Sequence, residues 1–179
     1  EQFARVRQLV EALRIPVYEM EGFEADDVLG TLAKQAEERG LDVVVVSGDA
    51  DTMQLVGSHV RVLTPGRVFT QTTVYDEAAV QEKYGLSPDQ LPDYKGLCGD
   101  PSDNIPGVPG IGAKTASKLL AQYGTIENLY AHLDELSPRV AEALEKHEAD
   151  ARKGKWLATI VKDVPVSLDL ERSRLGDYN

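Results

Sequence analysis

The chain has 179 residues, 19 Lys+Arg against 30 Asp+Glu, and a formal net charge of −11. That length can bury a core without a disulfide or structural metal, and suits one ordinary domain or a domain with a small appendage. The single cysteine, Cys98, excludes an internal disulfide and fits a reducing cytoplasm, the lack of a long apolar run excludes a membrane-spanning helix, and the acidic surplus counts against a simple electrostatic nucleic-acid binder. The start, Glu1-Gln2-Phe3-Ala4-Arg5, has neither the basic nor the apolar stretch of a signal peptide. It opens without Met inside a helical pattern, which reads as part of a longer chain.

Phe3, Val6, Leu9, Val10 and Leu13 have helical spacing and predict an amphipathic helix over 2–13. Pro16 to Met20 predicts a short strand. Ala25 to Arg39 predicts a helix with Val28, Leu29, Leu32, Ala33 and Ala36 inward and Gly40 as its stop. Leu41 to Val46 is a β-branched run of the kind buried on both faces of a parallel sheet. A helix from Ala50 to Val56, a strand at Val60 to Leu63, and a hairpin or edge within Val68 to Val74 follow. Alternating strands and helices imply α/β with a parallel sheet.

Beyond Val74 the pattern is helical. Asp76 caps a helix through Tyr84, stopped by Gly85, and Pro88 opens another to about Cys98. A Gly/Pro-rich stretch from Ile105 to Gly112 precedes a helix over Ala113 to Tyr123. Two or three more helices reach about Val161, broken near Gly124 and Ser137-Pro138. Trp156 reads as core, and the charge run Glu142–Lys155 as a solvated face. His59, His132 and His147 show no ligand spacing, and the tail Arg172–Asn179 reads as frayed. The expected division is residues 1–74 and 75–179.

Three acidic groups stand out by position. Glu24-Ala25-Asp26-Asp27 opens the helix after the first expected strand, Asp49-Ala50-Asp51 follows the valine strand, and Asp100-Pro101-Ser102-Asp103 occupies a loop after a helix. Ligands of open parallel sheets bind beyond the carboxyl ends of strands, where the first two groups fall. Crowded carboxylates stay ionised only when cations neutralise them. With no His or Cys among them, the donor set favours Mg²⁺ or Mn²⁺. Seven carboxylates suit two ions about 3.5–4 Å apart, one activating water and both stabilising the attacking and leaving oxygens of a phosphodiester. Each group alone also has a structural reading. Asp26 and Asp27 complement a helix dipole, Asp49 and Asp51 form a cap and turn, and Asp100 and Asp103 are turn formers.

Pro106-Gly107-Val108-Pro109-Gly110-Ile111-Gly112-Ala113-Lys114-Thr115 is not a Walker A loop, because Ala113 separates the glycine from the lysine. It reads as a tight turn between two helices. Its glycines let backbone approach a ligand, and free N–H groups at the second helix suit a phosphate oxygen. Lys114 and Lys118 share a helical face, and no acidic residue occurs from Ile105 to Tyr123. Such contacts hold a nucleic-acid backbone without reading sequence.

Phe23-Glu24-Ala25-Asp26-Asp27, Ser47-Gly48-Asp49-Ala50-Asp51 and the segment Gly99 to Ala116 together resemble the 5′→3′ exonuclease domains of bacterial DNA polymerase I, members of the flap-endonuclease family. The resemblance runs from about Phe3 to Leu170. It implies a PIN-like or resolvase-like α/β nuclease core, of which 1–74 is the C-terminal portion. A helical DNA-binding domain over 75–179 follows, with a helix–three-turn–helix (helix-hairpin-helix) motif at about 98–123. It also implies two Mg²⁺ or Mn²⁺ ions held by Glu24, Asp26, Asp27, Asp49, Asp51, Asp100 and Asp103, with Asp26, Asp49 and Asp51 catalytic. A K⁺ would be held by the main-chain carbonyls of Leu97, Cys98, Pro106, Val108 and Ile111. Gly107, Gly110, Ile111, Gly112, Ala113, Lys114, Thr115 and Lys118 would bind DNA.

Family members carry an earlier segment with a first-strand Asp and a basic arch that has no match in these residues. The expectation is therefore a structure-specific 5′ nuclease acting on flaps and on nicked or branched duplexes, with RNA primers as possible substrates. It would work in bacterial replication and repair near the nucleoid, beside a fused or associated polymerase, with weak or no activity in this chain alone. A non-catalytic DNA-binding module of the same fold is the alternative. A phosphatase using Asp49 and Asp51 leaves the glycine hairpin unexplained. Setting the seven site acids aside leaves 23 acidic against 19 basic residues, so much of the acidic surplus belongs to the site.

Overall fold

A polar ladder on one helix organises the first of two structural units. The computed structural model describes residues 2–66 and 71–174, which divide into Glu1–Leu41 with Val161–Asn179, and Asp42–Ile160. In the first unit, α1 spans Gln2–Ala12 and α2 spans Ala25–Glu37. Thr31, Gln35 and Arg39 recur every fourth residue along α2 and its following turn. Thr31 accepts from the Val164 amide (3.1 Å). Gln35 donates to the Val166 carbonyl (2.7 Å) and accepts from the Leu168 amide (2.8 Å). Arg39 donates to the Leu168 carbonyl (2.9 Å). Successive rungs thus meet the 164–168 backbone in order, about one helical turn apart.

Three expectations change in this unit. The α1 helix forms, but none of its residues is buried, and Phe3, Val6, Leu9 and Leu13 are exposed. Pro16–Met20 runs without regular secondary structure, because a strand exists through its ladder and no described segment pairs with it. The tail is held through Arg174: Tyr18 Oη hydrogen-bonds Ser173 Oγ (2.8 Å), and Arg172 N donates to Asp169 (3.0 Å). Residues 175–179 lie outside the described residues.

The second unit begins with a three-stranded sheet of β1 (Val43–Val46), β2 (Val60–Pro65) and β3 (Thr72–Tyr75), in that order. β1 and β2 are parallel with Val43 opposite Val60, while β2 and β3 are antiparallel with Val62 opposite Tyr75. The sheet is therefore mixed rather than wholly parallel, with β3 as the antiparallel edge. The expected hairpin residues 68–70 lie outside the described residues. β1 buries one face, not two: Val45 is 4% exposed, while Val44 and Val46 are 55% and 64% exposed. The side-chain period of two puts those valines on the face that nothing described covers.

After β3 the chain is helical, with α3 (Glu77–Tyr84), α4 (Leu91–Cys98), α5 (Ala113–Tyr123), α6 (Ile126–Tyr130), α7 (Pro138–Lys146) and α8 (Glu148–Ala158). Asp76 caps α3 by accepting from Ala79 N, and Gly85 ends it in the left-handed region. Leu86, Leu97, Val108, Ile111, Leu119, Leu120, Ile126, Leu129 and Leu144 form the core. α4 and α8 cross at two glycines: a Cβ on Gly96 would lie 2.6 Å from the Ala151 carbonyl oxygen, and one on Gly154 would lie 2.9 Å from Ile105 Cγ2. That close crossing turns Trp156 away from the core, to 74% exposure. It also draws Lys155 inward onto Asp93 (2.8 Å) and Glu127 (2.8 Å), so the charge run is not wholly solvated.

Candidate functional site

The turn leaving β1 is fixed by its own polar side chains. Ser47 Oγ accepts from Asp49 N (3.0 Å), Asp49 accepts from Asp51 N (3.0 Å), and Thr52 Oγ1 donates to the Asp49 carbonyl (2.7 Å). A 3₁₀ helix, Ala50–Leu55, starts there and buries Thr52 to Leu55, which leaves Asp51 at its mouth. A second carboxylate-bearing loop follows α4. Asp100 and Ile105 exchange backbone hydrogen bonds (2.9 and 2.8 Å), closing the turn between them, and Asn104 takes φ 57°. Asn tolerates that left-handed conformation better than most residues. Ser102 N donates to Asp100 (2.9 Å), which fixes its carboxylate.

These two loops bring Asp51, Asp100 and Asp103 together, with carboxylate oxygens all within 4.8 Å of one another. The sequence reading misses the group between them. Lys95 binds Asp51, Asp100 (2.6 Å) and Asp103 (3.4 Å). Its nearest partner along α4 lies five residues away, beyond the helix end, so no helical spacing signals the contact. Only the return of the loop makes it.

The charges respond to this crowding. Burial pushes Asp51 up to about 6, helped by Asp103 and Asp49 and opposed by Lys95. Burial also pushes Asp100 upward, but hydrogen bonds from Lys95 and Ser102 outweigh it and hold the carboxyl at about 2. For Lys95, burial favours the neutral amine, yet bonds to Asp100 and Asp51 win and raise its pKa. A cavity of about 360 Å³ opens beside the cluster, lined by Asp51, Lys95, Asp100, Tyr84, Tyr94 and Leu91. Burial lifts the Tyr94 hydroxyl to about 12.

The first acidic group lies in the other unit and is engaged in helix capping. Glu24 is the N-cap of α2 and forms a capping box with Asp27, whose side chain accepts from Glu24 N (3.1 Å). Asp27 also accepts from Val161 N (2.8 Å). Asp26 sits in the first turn of α2.

The glycine hairpin is built by backbone proximity. A Cβ on Gly107 would lie 2.3 Å from Gly99 N and 2.6 Å from the Cys98 carbonyl carbon. Val108 N donates to the Leu97 carbonyl and Ile111 N to that of Val108. The segments bearing the Leu97, Cys98, Pro106, Val108 and Ile111 carbonyls are thus folded against one another, although Leu97 and Val108 each already accept one bond. Gly112 caps α5 with no side chain, leaving the first amides of that helix without an intrahelical partner. Gly110, Gly112, Ala113, Lys114 and Lys118 are exposed, Thr115 is half-buried, and Gly107 and Ile111 are buried.

A small mixed sheet with flanking helices, an all-carboxylate cluster at its exit turn and a helical hairpin beyond define the resolvase-like nuclease class. Two family descriptions cover the chain: "5'-3' exonuclease, N-terminal resolvase-like domain" matches residues 1–85, and "5'-3' exonuclease, C-terminal SAM fold" matches residues 86–179. The chain belongs to the 5′→3′ exonuclease family. It is 51% identical to DNA polymerase I of Chloroflexus aurantiacus over 99% of this chain and 19% of that protein. To DNA polymerase I of Bacillus caldotenax it is 52% identical, over 96% and 20%. The chain thus spans about a fifth of the length of the curated relatives it matches.

Its fold is that of bacteriophage T5 5′-exonuclease, solved with bound zinc, at TM-score 0.77 and 23% identity over 89% of this chain and 59% of that one. The catalytic core of Rad2 in complex with DNA matches at TM-score 0.54 and 18% identity, over 93% and 50%. No helix among the described residues is long and apolar enough to cross a membrane.

Proposed function

We propose that this chain is part of a structure-specific 5′ nuclease that hydrolyses DNA phosphodiesters at flaps, nicks or branches, RNA primers included. The observation that carries the reading is the convergence of Asp51, Asp100 and Asp103 beside a helical hairpin whose exposed face bears lysines but no acid. The donor set fits a hard divalent cation: three carboxylates, no His or Cys, and one carboxyl driven upward by burial and by its acidic neighbours.

Asp51, Asp100 and Asp103, with Asp49 and the α2 acids Glu24, Asp26 and Asp27, would hold Mg²⁺ or Mn²⁺, two ions by charge count. When bound, such ions supply water activation and charge neutralisation at the phosphate. The protein's own part is positional. Ser47 and Thr52 fix the backbone of the Asp49 turn, and Ser102 fixes the Asp100 carboxylate. The α5 N-terminus, Gly110 to Thr115, would meet duplex phosphates, the Ala113 and Lys114 amides that start the helix donating to their oxygens, with the Lys114 and Lys118 side chains adding charge. The folded carbonyls of Leu97, Cys98, Pro106, Val108 and Ile111 would take a K⁺ that stiffens the hairpin.

Residues 1–74 would be the later portion of the nuclease core and 75–179 the DNA-binding part, working in the cytoplasm by the nucleoid beside a fused or associated polymerase. By themselves, the 179 residues would cleave weakly or not at all. The test is a 5′-flap duplex with the purified chain. Salt-sensitive binding lost in Lys114→Ala/Lys118→Ala, together with Mn²⁺ uptake lost in Asp51→Asn, supports the nuclease reading. Binding without any Mn²⁺ uptake would instead favour a non-catalytic module. Robust cleavage abolished by Asp49→Ala would overturn the weak-activity reading and leave the nuclease one standing.

A further inference from the structure

Lys95 has an arrangement unlike that of a surface ion pair. Its side chain is 13% exposed, less than any of its three partners. Those partners come from two separate segments, the turn after β1 and the loop after α4. An ammonium has three N–H donors, and three carboxylates are in reach. Their oxygens lie within 4.8 Å of one another, so a nitrogen in contact with all three fills the space between them. Any ion held by those carboxylates must use the same oxygens, and a second cation placed there repels the first.

We infer that Lys95 is a tethered placeholder: a positioning residue that holds Asp51, Asp100 and Asp103 together before a divalent ion arrives, and that the ion displaces. The inference rests on the metal reading of this site. Without Lys95, three carboxylates would face one another with no internal cation, and the two loops would be pushed apart. With it, the cluster is gathered in advance, at the cost of competition for the ion. The four-carbon stem lets the ammonium leave without moving α4. Lys155, a lysine held by two acids elsewhere, pairs with Asp93 and Glu127 rather than with the cluster, so it serves as an internal control.

The experiment follows the lysine ammonium signals of the ¹⁵N-labelled chain by NMR during Mg²⁺ titration, and measures Mn²⁺ affinity and metal-free melting of Lys95→Gln and Lys95→Arg. Displacement predicts that the Lys95 signal moves to the free-lysine position as Mg²⁺ saturates, while the Lys155 signal stays. Lys95→Gln should bind Mn²⁺ about tenfold more tightly, equivalent to about 1.4 kcal/mol, and melt lower without metal. Lys95→Arg should restore the metal-free melting. An unmoved Lys95 signal at saturating Mg²⁺, or equal Mn²⁺ affinity in wild type and Lys95→Gln, would overturn the placeholder and leave the metal site intact. Failure of both proteins to take up Mn²⁺ would overturn the placeholder and the metal site together.

Discussion

The crossing of α4 and α8 carries the acidic loop, so adding one methyl group there tests the packing directly. In Gly96→Ala the new Cβ meets the Ala151 carbonyl oxygen at 2.6 Å and Lys155 N at 2.9 Å, both backbone atoms of α8. No rotamer change relieves such contacts, so the helices must separate. Overpacking of this kind costs about 3 kcal/mol or somewhat more, and better helix propensity returns about 1. The net loss is about 2 kcal/mol, which in a chain of this size lowers the melting midpoint by about 4–8 °C.

In Gly154→Ala the closest atom is Ile105 Cγ2 at 2.9 Å, a side-chain atom that can yield, with Gly96 Cα next at 3.1 Å. Steric cost and propensity gain then nearly balance, and the drop should be below about 4 °C. Gly48→Ala, with nothing within 4 Å, is the control. Thermal melts by circular dichroism decide the matter. A Gly96→Ala protein that melts with wild type, or above it, would refute the close-crossing argument.

Three other perturbations probe other parts of the molecule. Lys114→Ala/Lys118→Ala should weaken duplex binding at every sequence and flatten the slope of log affinity against log salt by about 1.8, the value for two phosphates. A fluorescence anisotropy series over salt concentration measures this, and an unchanged slope would remove those lysines from the interface. Lys155→Met leaves Asp93, whose side chain is 5% exposed, with the Ile126 amide as a donor but no cation beside it, and should cost about 3 kcal/mol near neutral pH. Burial alone would lower the Lys155 pKa, but its bonds to Asp93 and Glu127 prevail and raise it. The pair's contribution is therefore full below the unfolded lysine value and fades as pH rises through the folded one, so the two melting curves should converge on the alkaline side. Gln35→Ala removes both rungs to Val166 and Leu168, each worth about 1 kcal/mol, and hydrogen exchange at Leu168 N should quicken while α2 amides stay protected.

Local chemistry made much of the second unit legible. Asp76 and Gly85 bound α3, and Gly112 and Gly124 bound α5, because capping and left-handed backbone depend on neighbours within a few residues. The strand at Val43–Val46 was legible for the same reason, as a run of β-branched residues. Its faces were not: Val44 and Val46 have the composition of core but lie exposed, since burial depends on what packs above a sheet. Trp156 failed in the same way, because the Gly96–Gly154 crossing rather than helix periodicity decides which side of α8 faces inward.

The acidic surplus shows the same division. Sequence by itself determined that three carboxylate groups follow helix or strand boundaries and that the glycine hairpin carries lysines without acids, because each is a matter of residue type and spacing. Tertiary structure alone decided that Asp51, Asp100 and Asp103 converge and that Lys95 stands among them. Those outcomes depend on where the loop closed by Asp100 and Ile105 returns. That return is set by backbone hydrogen bonds and glycine close approach, to which no side-chain pattern along the chain is sensitive.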